Sequence, residues 1–428
     1  MTSMSFKGGK IDGRLSPPPS KSHTHRAVFL SSMARGRSVV TNALLSDDIR
    51  STISACRAMG ASCDVSGRTI TVDGGDLHAP TDTVDAGNSG TTMRIYAGLC
   101  SMFDREVTIT GDESLQKRPM GALLEALGRM GVKCCSRDGL PPVTVCGPNK
   151  GGKVSIDGHI SSQYITSLML VSPMLPEDTE ITVEGTMVSA PYLDVTANMM
   201  RLYGAEAVRD GNVFRIRGGT GYRPHDYCVP SDFSSAAFPL VAGALGGRMT
   251  ADNMDMTDPQ GDKAIVDIIM KAGGEVTVSG SSITSERREL KGCDVDLGSI
   301  PDLFPITAVL LSTAEGESRL YGAPQLKFKE SDRIRTVVDM INAIGGDATA
   351  TDDGCIIHGR KRLSGGHIEH LGDHRIMMSA AIASIVCDGP VTMDDAECCA
   401  VSYPGFPEQM ATAGLRSEVL RCSPSAAD

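Results

Sequence analysis

The sequence has no tryptophan, and aromatic residues occupy only 4% of its 428 positions. Its core must therefore be built from Met, Leu, Ile, Val and Ala rather than from packed rings. Long apolar runs are also missing. Met377–Cys387 is among the longest, well short of the roughly 18 residues that a membrane helix needs. The opening MTSMSFKGGK holds no hydrophobic signal region, so a cytoplasmic location is expected. An excess of positive charge is missing too: the formal net charge is −11, which excludes bulk attraction to nucleic acid. Thirteen cysteines are present, but there is no CxxC pair, and Cys134–Cys135 and Cys398–Cys399 are adjacent in sequence. Spaced pairs are what a metal site or a disulfide framework would require, so reduced thiols and no metal are expected. There is no GxxxxGK[ST], GxGxxG or HExxH pattern, and no motif frames a cysteine as a nucleophile.

What is present is repetition. An amphipathic stretch followed by Gly and a strand-like run recurs at Gly60, Gly131, Gly204, Gly273, Gly345 and Gly414, spaced 71, 73, 69, 72 and 69 residues apart. Glycine just past a helix is the usual left-handed cap, and six at near-constant spacing indicate internal repeats. A second series of long apolar stretches starts at Ser22, Ser89, Ser161, Ser234, Pro301 and Asp373. These read as buried helices, and alternating runs such as TITVDG, REVTITGD and VFRIRGG read as strands. Each unit thus holds one buried and one outer helix, and three units make a domain of about 210 residues. The Gly/Pro-rich GGTGYRPHDY between the third and fourth units marks the domain boundary, with a hinge near 218–229.

The polar clusters fall at the starts of the buried helices, where unpaired N–H groups and the helix dipole favour anions. PPPSKSHTHRA offers Lys21, Ser22 and Arg26; DAGNSGTTMR offers Asn88, Gly90 and Arg94; HISSQYITSLM offers Ser161, Ser162 and Gln163. In the second half, SIPDLFPIT brings Asp302 and GDHRIM brings His374 and Arg375. SLQKRPM adds Arg118, and KFKESDRIR adds Lys329, Glu330 and Arg333. Any one of these alone is an ordinary helix cap with solvated cations nearby. Together, at equivalent positions in both halves of an acidic chain, they suit a small, multiply anionic ligand. Dividing them between two halves also predicts closure on such a ligand.

In order and content these clusters resemble the motif set of the 5-enolpyruvylshikimate-3-phosphate synthases. The resemblance runs from SKSHTHRA through GNSGTTMR, KRPM, SSQYITSLML, SAPYLDVT, SDFSSAAF, IPDLFPI and KESDRIR to DHRIMMSA and YPGFPEQ. It implies an α/β (α+β) fold of two similar domains, each of three βαβαββ repeats with buried parallel helices, and an active site in the cleft between them. The domains would be 14–224, and 1–13 with 228–428. It also implies that shikimate 3-phosphate is held by Ser22, Arg26, Ser161, Ser162, Gln163, Ser189, Tyr192, Asp302, Gln325 and Lys329. Phosphoenolpyruvate is assigned to Lys21, Gly90, Arg118, Gln163, Arg333 and Arg375, with Asp302, Glu330 and Lys21 catalytic. The implied reaction passes the enolpyruvyl group to the 5-hydroxyl of shikimate 3-phosphate through a tetrahedral intermediate, without cofactor or metal. A monomer is expected, with no nucleic acid or membrane partner. In this family glyphosate competes for the phosphoenolpyruvate site.

Three positions depart from the family pattern. Val401 stands where many members carry a lysine, Ser231 where glycine often precedes the Asp, and Ile95 where proline often follows the Arg. Two rivals share part of this reading. A UDP-N-acetylglucosamine enolpyruvyl transferase would have the same fold and donor, but its usual loop cysteine has no clear counterpart here. An anion-binding protein without catalysis would have no use for both Asp302 and Glu330. An RNA 3′-phosphate cyclase, of related repeat architecture, would require nucleotide chemistry that the acidic, fingerprint-free chain does not advertise.

Overall fold

The computed structural model describes residues 2–420. Among the described residues, twelve α-helices alternate as inner and outer members. The inner ones are α1 (Lys21–Met33), α3 (Gly90–Cys100), α5 (Ser162–Val171), α7 (Phe233–Gly246), α9 (Phe304–Leu311) and α11 (His374–Ala383). The outer ones are α2 (Asp47–Ala58), α4 (Gly121–Arg129), α6 (Pro191–Leu202), α8 (Ile265–Lys271), α10 (Arg333–Ala343) and α12 (Phe406–Thr412).

Each outer helix ends in the same way. Gly60, Gly131, Gly204, Gly273, Gly345 and Gly414 all have positive φ, between 84° and 107°. After α2, Gly60 N–H donates to Arg57 O and Ala61 N–H donates to Cys56 O; the same pair of bonds closes the other five helices. Such paired bonds satisfy the carbonyls that a helix end leaves open. The inner helices begin with side-chain caps: Ser89 accepts from Thr92 N–H, Ser161 from Gln163 N–H and Asp373 from Arg375 N–H. Two starts lie slightly earlier than the sequence pattern suggests, because Ser20 and Asp232 are the capping residues of α1 and α7. The fifth opens as a 3-10 turn, Pro301–Leu303, that leads into α9.

The strands of the described residues form six four-stranded sheets, one for each repeat. In the sheets around α3, α5, α9 and α11 the strand before the inner helix pairs in parallel with the strand after it. Around α1 and α7 the first strands are exchanged: Tyr227–Cys228 pairs with Gly36–Thr41, and Ile11–Leu15 with Gly247–Ala251. Two further strands add antiparallel in each sheet. Inner helices are buried on nearly every face. In α1 this includes polar side chains: Ser31 bonds Tyr203, and Thr24 and Ser32 donate to backbone carbonyls. Burial without such partners would be costly.

The chain divides into two compact units, residues 19–230 and the segments that flank them. The crossing points differ from the expected boundaries for a pairing reason. Ile11–Leu15 lies parallel to Gly247–Ala251, so residues 14 to 18 belong with the flanking unit. The expected hinge at 218–229 is bound into the inserted unit instead. Tyr222 Oη donates to Leu170 O, and Tyr227–Cys228 pairs with Val40–Thr41. The chain passes between units at Pro18–Pro19 and Pro230–Ser231. Ser3–Lys7 completes the last sheet of the flanking unit, between Val391–Met393 and Arg416–Leu420. No helix among the described residues is long and apolar enough to cross a membrane.

Candidate active site

In the inserted unit, the starts of α1, α3 and α5 carry the expected residues. Arg26 is buried, and its guanidinium donates to Thr196 Oγ1 at 2.8 Å, Ser22 O at 2.9 Å, Tyr192 O at 3.3 Å and Thr166 Oγ1 at 3.4 Å. All four acceptors are neutral. Burial accordingly lowers its pKa to about 10, leaving a cation whose charge no carboxylate offsets in these bonds. Lys21 is matched with Asp48, at 2.9 Å.

Gly90 is the first residue of α3, and it lies between two guanidinium groups. A methyl built there would stand 3.1 Å from Arg94 Nη1 and 3.4 Å from Arg118 Nη1. Arg118 is held by Asn88, through its backbone oxygen at 3.2 Å and Oδ1 at 2.8 Å, and by Ser114. Arg94 donates to Gln163 Oε1 at 2.6 Å and lies over the Tyr164 ring, while Gln163 Nε2 donates to Thr91 Oγ1. Gly90, Arg118 and Gln163 are thus brought together, and Arg94 joins them. Ser161 and Ser162 lie at the start of α5, where Ser161 is committed as its cap. Ser189 is buried with φ of 54°, just ahead of α6, and Tyr192 is in the first turn of that helix.

In the flanking unit, Arg333 is the hub. Its side chain is 1% exposed and meets three carboxylates: Asp373 at 2.8 Å, Asp302 at 2.9 Å and Glu330 at 2.5 Å. Asp373 does two jobs, since it also caps α11 through Arg375 N–H. Asp302 receives two more cations, Arg375 at 3.3 Å and Lys329 at 3.6 Å. Burial pushes the Asp302 carboxyl up, but Arg375, Lys329 and Arg333 outweigh it and hold it well below the usual carboxylate range. It is therefore ionised at neutral pH. Gln325 is buried in the 3-10 turn Pro324–Phe328, just before Lys329. Its Nε2 donates to Gly298 O at 3.4 Å, and its Oε1 has no partner among the described residues.

Several members of these clusters carry no distinctive sequence signal. Asp48 follows another aspartate at the start of an outer helix, and nothing local marks it as the partner of Lys21. Arg94 and Asn88 stand in GNSGTTMR without an assigned role, and Asp373 reads in sequence only as a helix start. Among the described residues no group of His, Cys, Asp and Glu side chains is arranged to hold a metal ion.

Residues 6–410 match the family model described as EPSP synthase (3-phosphoshikimate 1-carboxyvinyltransferase). Relatives bearing the name 3-phosphoshikimate 1-carboxyvinyltransferase include one from Methanocorpusculum labreanum. It is 44% identical over 410 residues, covering 95% of this chain and 97% of its own. Another, from Acetivibrio thermocellus, is 38% identical and covers 94% and 96%. Among solved structures, an EPSP synthase from Acinetobacter baumannii superposes with a TM-score of 0.82 at 30% identity, covering 98% of this chain and all of its own.

Proposed function

This chain belongs to the EPSP synthase family, and on that premise we propose that the two clusters divide the binding and chemistry of one reaction. The chain is an enolpyruvyl transferase of the shikimate pathway: phosphoenolpyruvate donates, the 5-hydroxyl of shikimate 3-phosphate accepts, and phosphate leaves. The relatives carry the name of the shikimate acceptor, which favours this reading over the UDP-sugar one.

The reaction adds a hydroxyl across an enol double bond and then eliminates phosphate. One group has to take the hydroxyl proton and another has to protonate the methylene carbon. We assign the first task to Asp302 and the second to Glu330, with Lys21 as a further catalytic cation. Shikimate 3-phosphate is assigned to Ser22, Arg26, Ser161, Ser162, Gln163, Ser189, Tyr192, Gln325 and Lys329, with Asp302 at its hydroxyl. Phosphoenolpyruvate is assigned to Lys21, Gly90, Arg118, Gln163, Arg333 and Arg375.

One observation carries the assignment of Asp302. The three cations that grip it, Lys329, Arg333 and Arg375, are those assigned to the substrates' anionic groups. With its cations in place the carboxylate is ionised but a poor base. Substrate phosphate and carboxylate compete for the same cations and loosen their hold, so Asp302 gains basicity when the hydroxyl arrives. Arg26, with neutral partners only, has its charge ready for a phosphate.

The direct test is release of phosphate from phosphoenolpyruvate, with shikimate 3-phosphate and unphosphorylated shikimate compared as acceptors. Rapid release that depends on the 3-phosphate is expected. Equal rates with the two acceptors would remove the assigned phosphate-holding set.

A further inference from the structure

We propose that Asp262 is a positioning residue for the Asp302 cluster: a buried carboxyl that must keep its proton for the cluster to hold anionic substrate well. The inference rests on the reading of that cluster given above. Asp262 lies in the 3-10 turn Gly261–Ala264 and is 2% exposed. Its Oδ2 accepts from Ser234 Oγ in the first turn of α7, while its Oδ1 is buried with no partner among the described residues. Gln260 fastens the same turn to α7, accepting from Phe233 N–H at 2.9 Å and donating to Ser231 O at 2.9 Å. The carboxyl therefore cannot swing out to water without breaking this clamp.

An ionised carboxylate this deeply buried needs several donors, and Asp262 has one. The charges that act on it are those of Asp302 in the turn before α9, Asp232 at the cap of α7, and Arg375 in α11. Burial first, then the charge of Asp302, raises its pKa to about 7; Arg375 and the Ser234 hydroxyl pull the other way without prevailing. With its proton, Asp262 leaves Arg375 facing Asp302 and substrate. Without it, a second carboxylate competes for Arg375 and repels phosphoenolpyruvate.

The test compares the pH dependence of kcat/KM for phosphoenolpyruvate in the wild type and in Asp262→Asn. The amide keeps a neutral, hydrogen-bonding group of the same shape. Between pH 6.5 and 8.5 the wild type should lose about tenfold more than the variant, mainly through KM, a factor equivalent to about 1.4 kcal/mol. Ionisation of the substrate phosphate affects both proteins equally and cancels in the ratio. Parallel profiles from two active enzymes would overturn the role of Asp262 alone. A wild type without transferase activity would remove the reading of the cluster, and this inference with it. If Asp262→Asn does not fold, calorimetry on the wild type decides. Phosphoenolpyruvate binding at pH 8, in buffers of different ionisation enthalpy, should take up close to one proton; no uptake would refute the proposal.

Discussion

At the scale of single residues, the two halves of the proposed chemistry are held in different ways. Asp302 carries three cations, whereas Glu330 is bonded to Arg333 through one oxygen. Glu330→Gln should keep the fold and most substrate affinity but lose turnover by about 10²-fold or more, the scale of general acid–base catalysis. Asp302→Asn should do likewise. Steady-state phosphate release checks both, and near-normal turnover in either variant removes that residue from the mechanism. Gly90 makes a geometric prediction. A methyl at 3.1 Å from Arg94 forces that guanidinium end outward by a few tenths of an ångström, and at 3.4 Å it rests against Arg118. Glyphosate, longer than phosphoenolpyruvate, should suffer more. Gly90→Ala is expected to raise its inhibition constant by about tenfold, a cost of about 1.4 kcal/mol, with a smaller rise in KM for phosphoenolpyruvate. Affinity for shikimate 3-phosphate should stay nearly unchanged. Equal glyphosate inhibition of the two proteins would take Gly90 out of the donor site. The motif residues are legible in the sequence because their types are rare in such combinations. Asp48 and Asp262 are not, since a lone aspartate becomes informative only through what folds against it.

At the scale of elements, the regular caps explain why six repeats can be counted along the chain by spacing alone. Each glycine cap depends on local backbone geometry, so its mark on the sequence is local too. Their surroundings nevertheless differ. A Cβ at Gly131 would meet nothing within 4 Å, whereas one at Gly414 would lie 2.3 Å from Lys10 O. Gly131→Ala should therefore cost only the strain of a left-handed residue with a side chain, about 1 kcal/mol. Gly414→Ala should cost clearly more, because backbone has to move. Urea unfolding of the two variants provides the comparison, and equal losses would mean that the Lys10 carbonyl gives way easily. The starts of α1 and α7 are legible only to within a couple of residues. Both begin with several candidate caps in a row, SKS and SDFSS, and tertiary packing selects which one turns.

At the scale of the whole molecule, the two units should answer acid in opposite directions. Burial and the charge of Arg26 push His23 in α1 down to about 3, and burial with Lys21 and Arg26 depresses His25 well below its ordinary value. A histidine held below its unfolded value near 6.5 contributes stability that is complete above pH 6.5. That contribution drains away as the pH falls toward 3. Asp262 is held above its unfolded value near 3.8, so its contribution is complete below 3.8 and is lost as pH rises through about 7. Between pH 6.5 and pH 5 the inserted unit should weaken while the flanking unit gains. Native-state hydrogen exchange, corrected for intrinsic rates, should show α1 losing protection relative to α7. An equal change in both helices would contradict this.

The sequence alone determined the six-fold repeat, the alternation of inner and outer helices, and the gathering of cations and hydroxyls at inner-helix starts. These follow from caps, apolar periodicity and helix dipoles, which act over a few residues and leave their pattern in order along the chain. Tertiary structure alone decided which strands complete which sheets, and so where the units divide. Ser3–Lys7 lies between Val391–Met393 and Arg416–Leu420, and Tyr227–Cys228 joins Val40–Thr41, because strand pairing uses backbone groups that every segment offers and only the fold brings these segments together. Tertiary structure also decided the charge state of Asp302 and Asp262. Both are ordinary aspartates in sequence. One is kept ionised by three cations, and the other holds its proton to a higher pH through burial and the charge of Asp302, because the energy of a buried charge depends on distances that only folding sets.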